Sequence, residues 1–272
     1  MRGASRDSLA AAAERLDQTL AEGDGAAARE LSDALFSVTR LLSDERVLAR
    51  MLADPVVAVD ARQELLARLL GERLGAAPLE VLRGLVNSRW SRPADLPDVV
   101  EALANQAAFT VAEGEQGLDE VEDQLFRFAR IIESTPALRA ALGDPAATAD
   151  HKHQLVNALL TGKVADVTLQ LVGNVVRAPR GRTVEAAVDA LCEQAAGRRE
   201  RLIALVRVAG DLSEEQRDRL TAALGRSLGH AVRVQVQQDP TVLGGVVVRV
   251  GDELFDGSIA RRLAQVRRRL AG

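Results

Sequence analysis

Tyrosine is absent from this 272-residue sequence, tryptophan occurs once and phenylalanine five times. With aromatics at 2% of the chain, there is no stacking platform for the bases of a single-stranded nucleic acid. Charge supplies no substitute: 35 basic against 39 acidic residues leave a formal charge of −4, so nothing draws the chain to a phosphate backbone. A lone cysteine, Cys192, excludes an internal disulfide and fits a reducing compartment. Within EAAVDALCEQAA it reads as a small buried helix residue rather than a nucleophile. No stretch approaches the ~18 uninterrupted apolar residues of a membrane helix. MRGASRDSLAAAAERL carries charges where a signal peptide has its apolar core. The expectation is a soluble, unexported chain that reaches a membrane only through partners.

Histidine is scarce too, with three in all. His151 and His153 stand two apart on a predicted helix, which points them to nearly opposite sides, so they are expected as solvated first-turn residues and not as a metal pair. His230 follows Gly229 at a predicted helix end, where a cation suits the helix dipole. Gly162-Lys163 lacks the upstream glycine and following Ser or Thr of a phosphate loop and reads as a helix end. Trp90 in NSRWSRP ends a helix and is expected to be packed or lightly exposed. The acidic residues alternate with arginine along helix faces, the pattern of a solvated, ion-paired surface, and Arg267 to Arg269 suit a last helical turn. No base, nucleophile, metal set or cofactor cradle assembles from these residues.

The stretch TVLGGVVVRVGDELFDGSIARRL, Thr241 to Leu263, raises the question of a nucleotide loop. Such a loop has glycines opening a helix. Here Gly244-Gly245 run into the β-branched Val246 to Val250, so they enter a strand. Gly251-Asp252 reads as a tight turn, and Asp256, Gly257 and Ser258 as the start of a terminal helix that Asp256 or Ser258 caps. Every glycine has a backbone role, and Gly244, Gly245, Gly251, Asp256, Gly257 and Ser258 form a structural motif rather than a binding site.

What the chain has in abundance is helical patterning. Leu9, Ala13, Leu16 and Leu20, then Leu31, Leu35, Val38 and Leu42, recur at helical spacing, and the pattern continues to about Arg201. Displacing the sequence by 90 residues aligns Leu35-Phe36 with Leu125-Phe126, Arg40 with Arg130, Leu48 with Leu138 and Leu52 with Leu142. The same offset aligns Asp54-Pro55 with Asp144-Pro145, Asp60 with Asp150, Leu65 with Leu155 and Leu69-Leu70 with Leu159-Leu160. These positions are apolar stripes and helix punctuation: an Asp-Pro that ends one helix, and Asp60 or Asp150 expected to cap the next. The prediction is a mainly α fold, a duplicated helical bundle over 1–113 and 114–200. With a two-residue adjustment EALANQA from Glu101 also matches DALCEQA from Asp189, so the segment 94–112 is expected to serve as last helix of the first copy and first helix of the second.

After Arg201 the pattern changes. LIALVRV reads as a strand, SEEQRDRLTAALGRSLG as a helix with a capping box from Ser213 to Gln216, and AVRVQVQ as a half-buried strand. A small α/β module over 201–272 follows, its first two strands parallel and Val246 to Val250 added antiparallel.

The C-terminal 60 residues or so resemble the end of the δ subunit of bacterial F-type ATP synthases, the oligomycin-sensitivity-conferring protein family. The marks are Leu212-Ser213 at a helix start, LGGVVVRVGD from Leu243 to Asp252, and Asp256-Gly257-Ser258 leading into an arginine-leucine helix. RWSRPADLPDVVEAL, Arg89 to Leu103, is similar to the loop and helix near the end of that family's bundle. The usual member has one bundle; the duplicated one here looks like the longer δ subunits of actinobacteria. The resemblance implies a non-catalytic peripheral-stalk subunit without cofactor, on the cytoplasmic face of the cell membrane. Its partners would be the N-terminal segments of the α subunits and the C-terminal end of the b subunit. It also implies a groove for α between first and fifth helices, here Leu9, Leu16 and Leu20 facing Leu82 and Val86, and a second candidate groove in the second copy, partly filled by the first bundle. A helical repeat scaffold unrelated to ATP synthase is the other reading that composition and repeat allow.

Overall fold

A computed structural model describes residues 3–115, 117–201, 203–210, 212–228, 232–239, 242, 245–251 and 253–256. It divides into two compact units, 1–195 and 196–272.

The first unit is helical: α1 (Ala4–Glu22), α2 (Gly25–Asp44), α3 (Arg46–Ala53), α4 (Val59–Leu70), α5 (Ala76–Asn87), α6 (Asp95–Gly114), α7 (Leu118–Ser134), α8 (Pro136–Gly143), α9 (Ala149–Leu160), α10 (Asp166–Arg177) and the start of α11 (Val184–Arg201). Local chemistry sets the boundaries. Asp24 accepts the N–H of Ala27 at 2.8 Å and caps α2; Pro136 takes the first-turn position of α8, where its missing N–H costs nothing. The Asp-Pro corners are equivalent: Asp54 accepts the N–H of Val56 at 2.9 Å and Asp144 that of Ala146 at 2.8 Å. The bounds of α3, α4 and α5 recur in α8, α9 and α10 at an offset of 90 residues at both ends. α1 shifted by the same offset falls on α6 to within two residues.

The next helix is capped otherwise than expected. Asp60 and Asp150 lie inside the first turns of α4 and α9; Thr148 caps α9, accepting from the N–H of His151 at 3.2 Å, and the corresponding residue before α4 is Ala58, which has no side chain able to cap. A carboxylate one turn in still suits the helix dipole, which is why the sequence pattern looked like a cap.

α6 holds the unit together. Fourteen of its twenty residues are buried, and the partly exposed Asp98, Ala102, Gln106, Thr110 and Glu113 fall on one narrow stripe, so it packs as a central rod with a single half-open face. α1, α2, α3, α7 and α10 all touch it. Its buried polar groups each reach a different element. Asp95 accepts from Ser5 Oγ of α1 at 2.8 Å and pairs with Arg92 at 2.9 Å. Glu101 takes Arg180 and Arg182 from the turn before α11, the latter at 2.9 Å, and Asn105 donates to Gln194 of α11 at 3.1 Å.

The second unit contains β1 (Ile203–Val208), α12 (Glu214–Leu228), β2 (Arg233–Gln238), β3 (Val246–Val250) and β4 (Glu253–Asp256) in sheet order β2-β1-β3-β4. β1 pairs parallel with β2 and antiparallel with β3, as expected from the strand-helix-strand order. The capping box forms in both directions: Ser213 N donates to Gln216 Oε1 at 3.0 Å and Gln216 N to Ser213 Oγ at 3.2 Å. Ala204, Val206, Val208, Val248 and Val250 bury one face of the sheet against Leu224. The strand β4 was not expected. Glu253 to Asp256 pair antiparallel with Val250 to Val247, across a turn in which Gly251 has φ +54°. Asp256 therefore ends a strand. Gly244, Gly257, Ser258, His230, Arg267 to Arg269 and the expected terminal helix lie outside the described residues.

Candidate docking cleft

Between α1 and α5 lies a cleft of about 720 Å³. Ala12 and Leu16 line it from α1, and Ala76, Ala77, Leu79, Val81 and Gly84 from α5; Arg15, Gln18, Thr19, Glu80 and Arg83 form its rim. Small side chains open it. A Cβ on Gly84 would stand 3.1 Å from Arg15 Nη1, so a larger residue there presses on that arginine and takes up part of the cleft. The rim is basic on balance: Arg83 meets Glu80 only loosely, at 3.6 Å, and Arg15 has no carboxylate partner among the described residues. An apolar floor with a cationic rim suits an amphipathic helix that carries acidic residues along its flank.

Of the residues predicted for this groove, only Leu16 lines it, at its floor. Leu20, Leu82 and Val86 are buried in the bundle, and Leu9 is half-buried. Leu79 and Val81 were missed because spacing alone does not tell a cleft from a core, and Ala12, Ala76, Ala77 and Gly84 because small side chains weigh little beside leucine in an apolar periodicity. The one available signal was their density, Gly75-Ala76-Ala77 at the start of α5 and the run Ala10 to Ala13 in α1.

Two other hollows flank α2. One of about 1000 Å³ lies beside Ala34 and Gly75; at the corresponding place in the second copy Gln124 bridges to Ala165 N at 2.9 Å and Thr168 Oγ1 at 2.7 Å and closes the gap. The other, about 600 Å³, lies at the α2–α3 corner, where Arg92 and Arg180 are already engaged by Asp95 and Asp98.

The titratable side chains set apart by sequence are not poised for chemistry. His151 is exposed as expected. His153 is half-buried rather than freely solvated: it packs on Gly173, contacts Asn157 at 3.0 Å, and partial burial together with nearby Arg177 lowers its pKa. Cys192 is half-buried, and desolvation, with Asp189 next, raises its thiol pKa to about 11. Trp90 is buried. Among the described residues no group of three or more His, Cys, Asp or Glu could hold a metal ion, and no helix is long and apolar enough to cross a membrane.

Residues 105–270 match the family model of the ATP synthase delta (OSCP) subunit. The chain belongs to the ATP synthase delta (OSCP) family. Its relatives extend over its whole length: the ATP synthase subunit delta of Streptomyces griseus is 47% identical over 100% of both chains, that of Thermobifida fusca 44% over 100% of both, and that of Acidothermus cellulolyticus 42%, again over 100% of both. A chain of the Toxoplasma gondii mitochondrial ATP synthase hexamer aligns with 62% of this chain and 95% of its own length, at TM-score 0.32 and 19% identity, too remote to add to the assignment. As a delta family member the chain is a non-catalytic stalk component of an ATP synthase.

Proposed function

We propose that this delta subunit ties the catalytic head to the membrane-anchored stalk by holding the N-terminal segment of an α subunit in the α1/α5 cleft and the C-terminal end of the b subunit on its α/β unit. So held, the α/β hexamer resists the torque of the rotating shaft, and proton flow is converted to ATP synthesis at the cytoplasmic face of the cell membrane. On this reading 1–113 and 114–200 are two copies of one bundle sharing 94–112, and 201–272 is the b-binding module.

The observation that carries the proposal is the open cleft of small residues with an arginine rim, in a chain whose family membership calls for helix docking and not for chemistry. For b, support comes from the edge strand β4, which leaves Leu254 and Phe255 exposed. The test is a crossed pair of variants in reconstituted complexes. Gly84→Leu is expected to weaken binding to isolated heads and spare b; Leu254→Glu is expected to do the reverse. Both variants retaining both partners at full affinity would refute the assignment.

A further inference from the structure

We infer that the chain plugs its second groove with its own helix α2, leaving one vacant helix-docking cleft per delta subunit. The inference rests on the reading of the α1/α5 cleft as a helix receptor. By the 90-residue offset the corresponding groove of the second copy lies between α6 and α10. α2 touches both of its walls. On the α10 wall Gln170 donates to Asp33 of α2, and Asn174 accepts from Arg40 Nη1 at 3.0 Å. Gln170 and Asn174 are the counterparts of Glu80 and Gly84, two residues that line the open cleft. On the α6 wall Ser32 Oγ of α2 donates to the carbonyl of Ala104 at 3.2 Å.

Burial tells the same story. Arg15, Gln18 and Thr19 are exposed on α1, whereas their counterparts Asn105, Ala108 and Phe109 on α6 are all buried. Arg40 is desolvated against α10, which lowers its pKa, Arg177 adding to the effect. α2 sits where a partner helix would, and its face shows what such a partner carries. Asp33, Ser37 and Arg40, spaced i, i+4, i+7, meet α10 or each other through polar contacts, while Leu31, Leu35, Phe36 and Val38 are buried. Because α2 is covalently attached and already seated, a free segment would have to displace it at an effective concentration it cannot match.

The experiment is a calorimetric titration of the full chain with a synthetic peptide of the α subunit's N-terminal segment, repeated on Gly84→Leu and on Ala12→Glu. One peptide bound per chain, with affinity reduced about tenfold or more by either substitution, is the expected result. Two bound per chain, or one bound whose affinity neither substitution changes, overturns the plugged groove while keeping helix docking. No binding overturns the docking reading itself. Should Gly84→Leu melt early, Ala12→Glu, at a half-buried site outside the core, carries the comparison, and the wild-type stoichiometry alone separates one site from two.

Discussion

Thr148 and Asp150, two residues apart, separate the cap from its imitation. Thr148→Ala removes the side-chain acceptor for the His151 N–H and is expected to cost about 1 kcal/mol in denaturant unfolding. Asp150→Ala and Asp60→Ala lose only the interaction of a first-turn carboxylate with the dipole, about 0.5 kcal/mol or less at these exposed positions. The exposed ion pair of Asp150 with Arg177, at 3.5 Å, adds little. Equal losses at Thr148 and Asp150 would show that the cap assignment is wrong. At Cys192 the raised pKa has a definite sign. The folded state prefers the neutral thiol, so its contribution to stability is complete below the unfolded thiol pKa and is lost as pH rises toward about 11. At pH 8 the folded thiolate is scarce, and reaction with a thiol reagent should run roughly a hundredfold slower than in the denatured chain. Equal rates would contradict the burial. Gly245 has φ +81°, a region that penalises any Cβ, so Gly245→Val should destabilise the α/β unit by about 1–2 kcal/mol in its unfolding transition.

At the scale of elements α6 is the sensitive one. Leu103 is fully buried on the covered side of α6, where neighbours on several helices cannot collapse into a void together, and Leu103→Ala should cost about 3–5 kcal/mol. Leu16 is as buried, but its α1 is a flank helix facing the cleft, and Leu16→Ala should cost less, about 2–3 kcal/mol, because the cleft wall can relax. Comparing the two by denaturant unfolding checks the ranking. Glu101→Ala removes the buried carboxylate that Arg180 and Arg182 share while Asp98 still engages Arg180, and is expected to cost about 1–3 kcal/mol. Much of this level was legible in the residues. Ser213 and Gln216 announced the capping box, the Asp-Pro corners announced the α3 and α8 ends, and LIALVRV announced β1 as a strand, although its burial alternation at Ala204, Val206 and Val208 does not show among the equally apolar Ile203 and Leu205. β4 was hidden, because Glu253-Leu254-Phe255-Asp256 is too short for an alternation to show and is strand only by virtue of pairing with β3.

For the whole molecule the proposed sharing of α6 between the two copies has a consequence for truncation. Removing residues 1–114 takes away the rod on which α7 and α10 pack, so the remaining helices should lose cooperative unfolding in circular dichroism. Removing residues 1–93 keeps α6 and also uncovers the α6/α10 groove that α2 occupies. The shorter deletion is therefore expected to fold better than the longer; the opposite order would refute the shared helix. Sequence alone determined the 90-residue repeat, the Asp-Pro corners, the capping box and the β2 alternation, because each is written in residues near one another or in an identity at fixed offset. It also carried the family motif in the C-terminal module. Which groove stands open was decided only by tertiary structure. A leucine facing a core and a leucine facing a partner have the same spacing, so Leu20, Leu82 and Val86 could not be told from cleft residues along the chain. The vacancy depends instead on volume, on alanines and a glycine at the α1/α5 contact and on α2 lying across α6 and α10. Those are facts about what packs beside what, contributed by residues more than a hundred positions apart, such as Arg40 and Asn174.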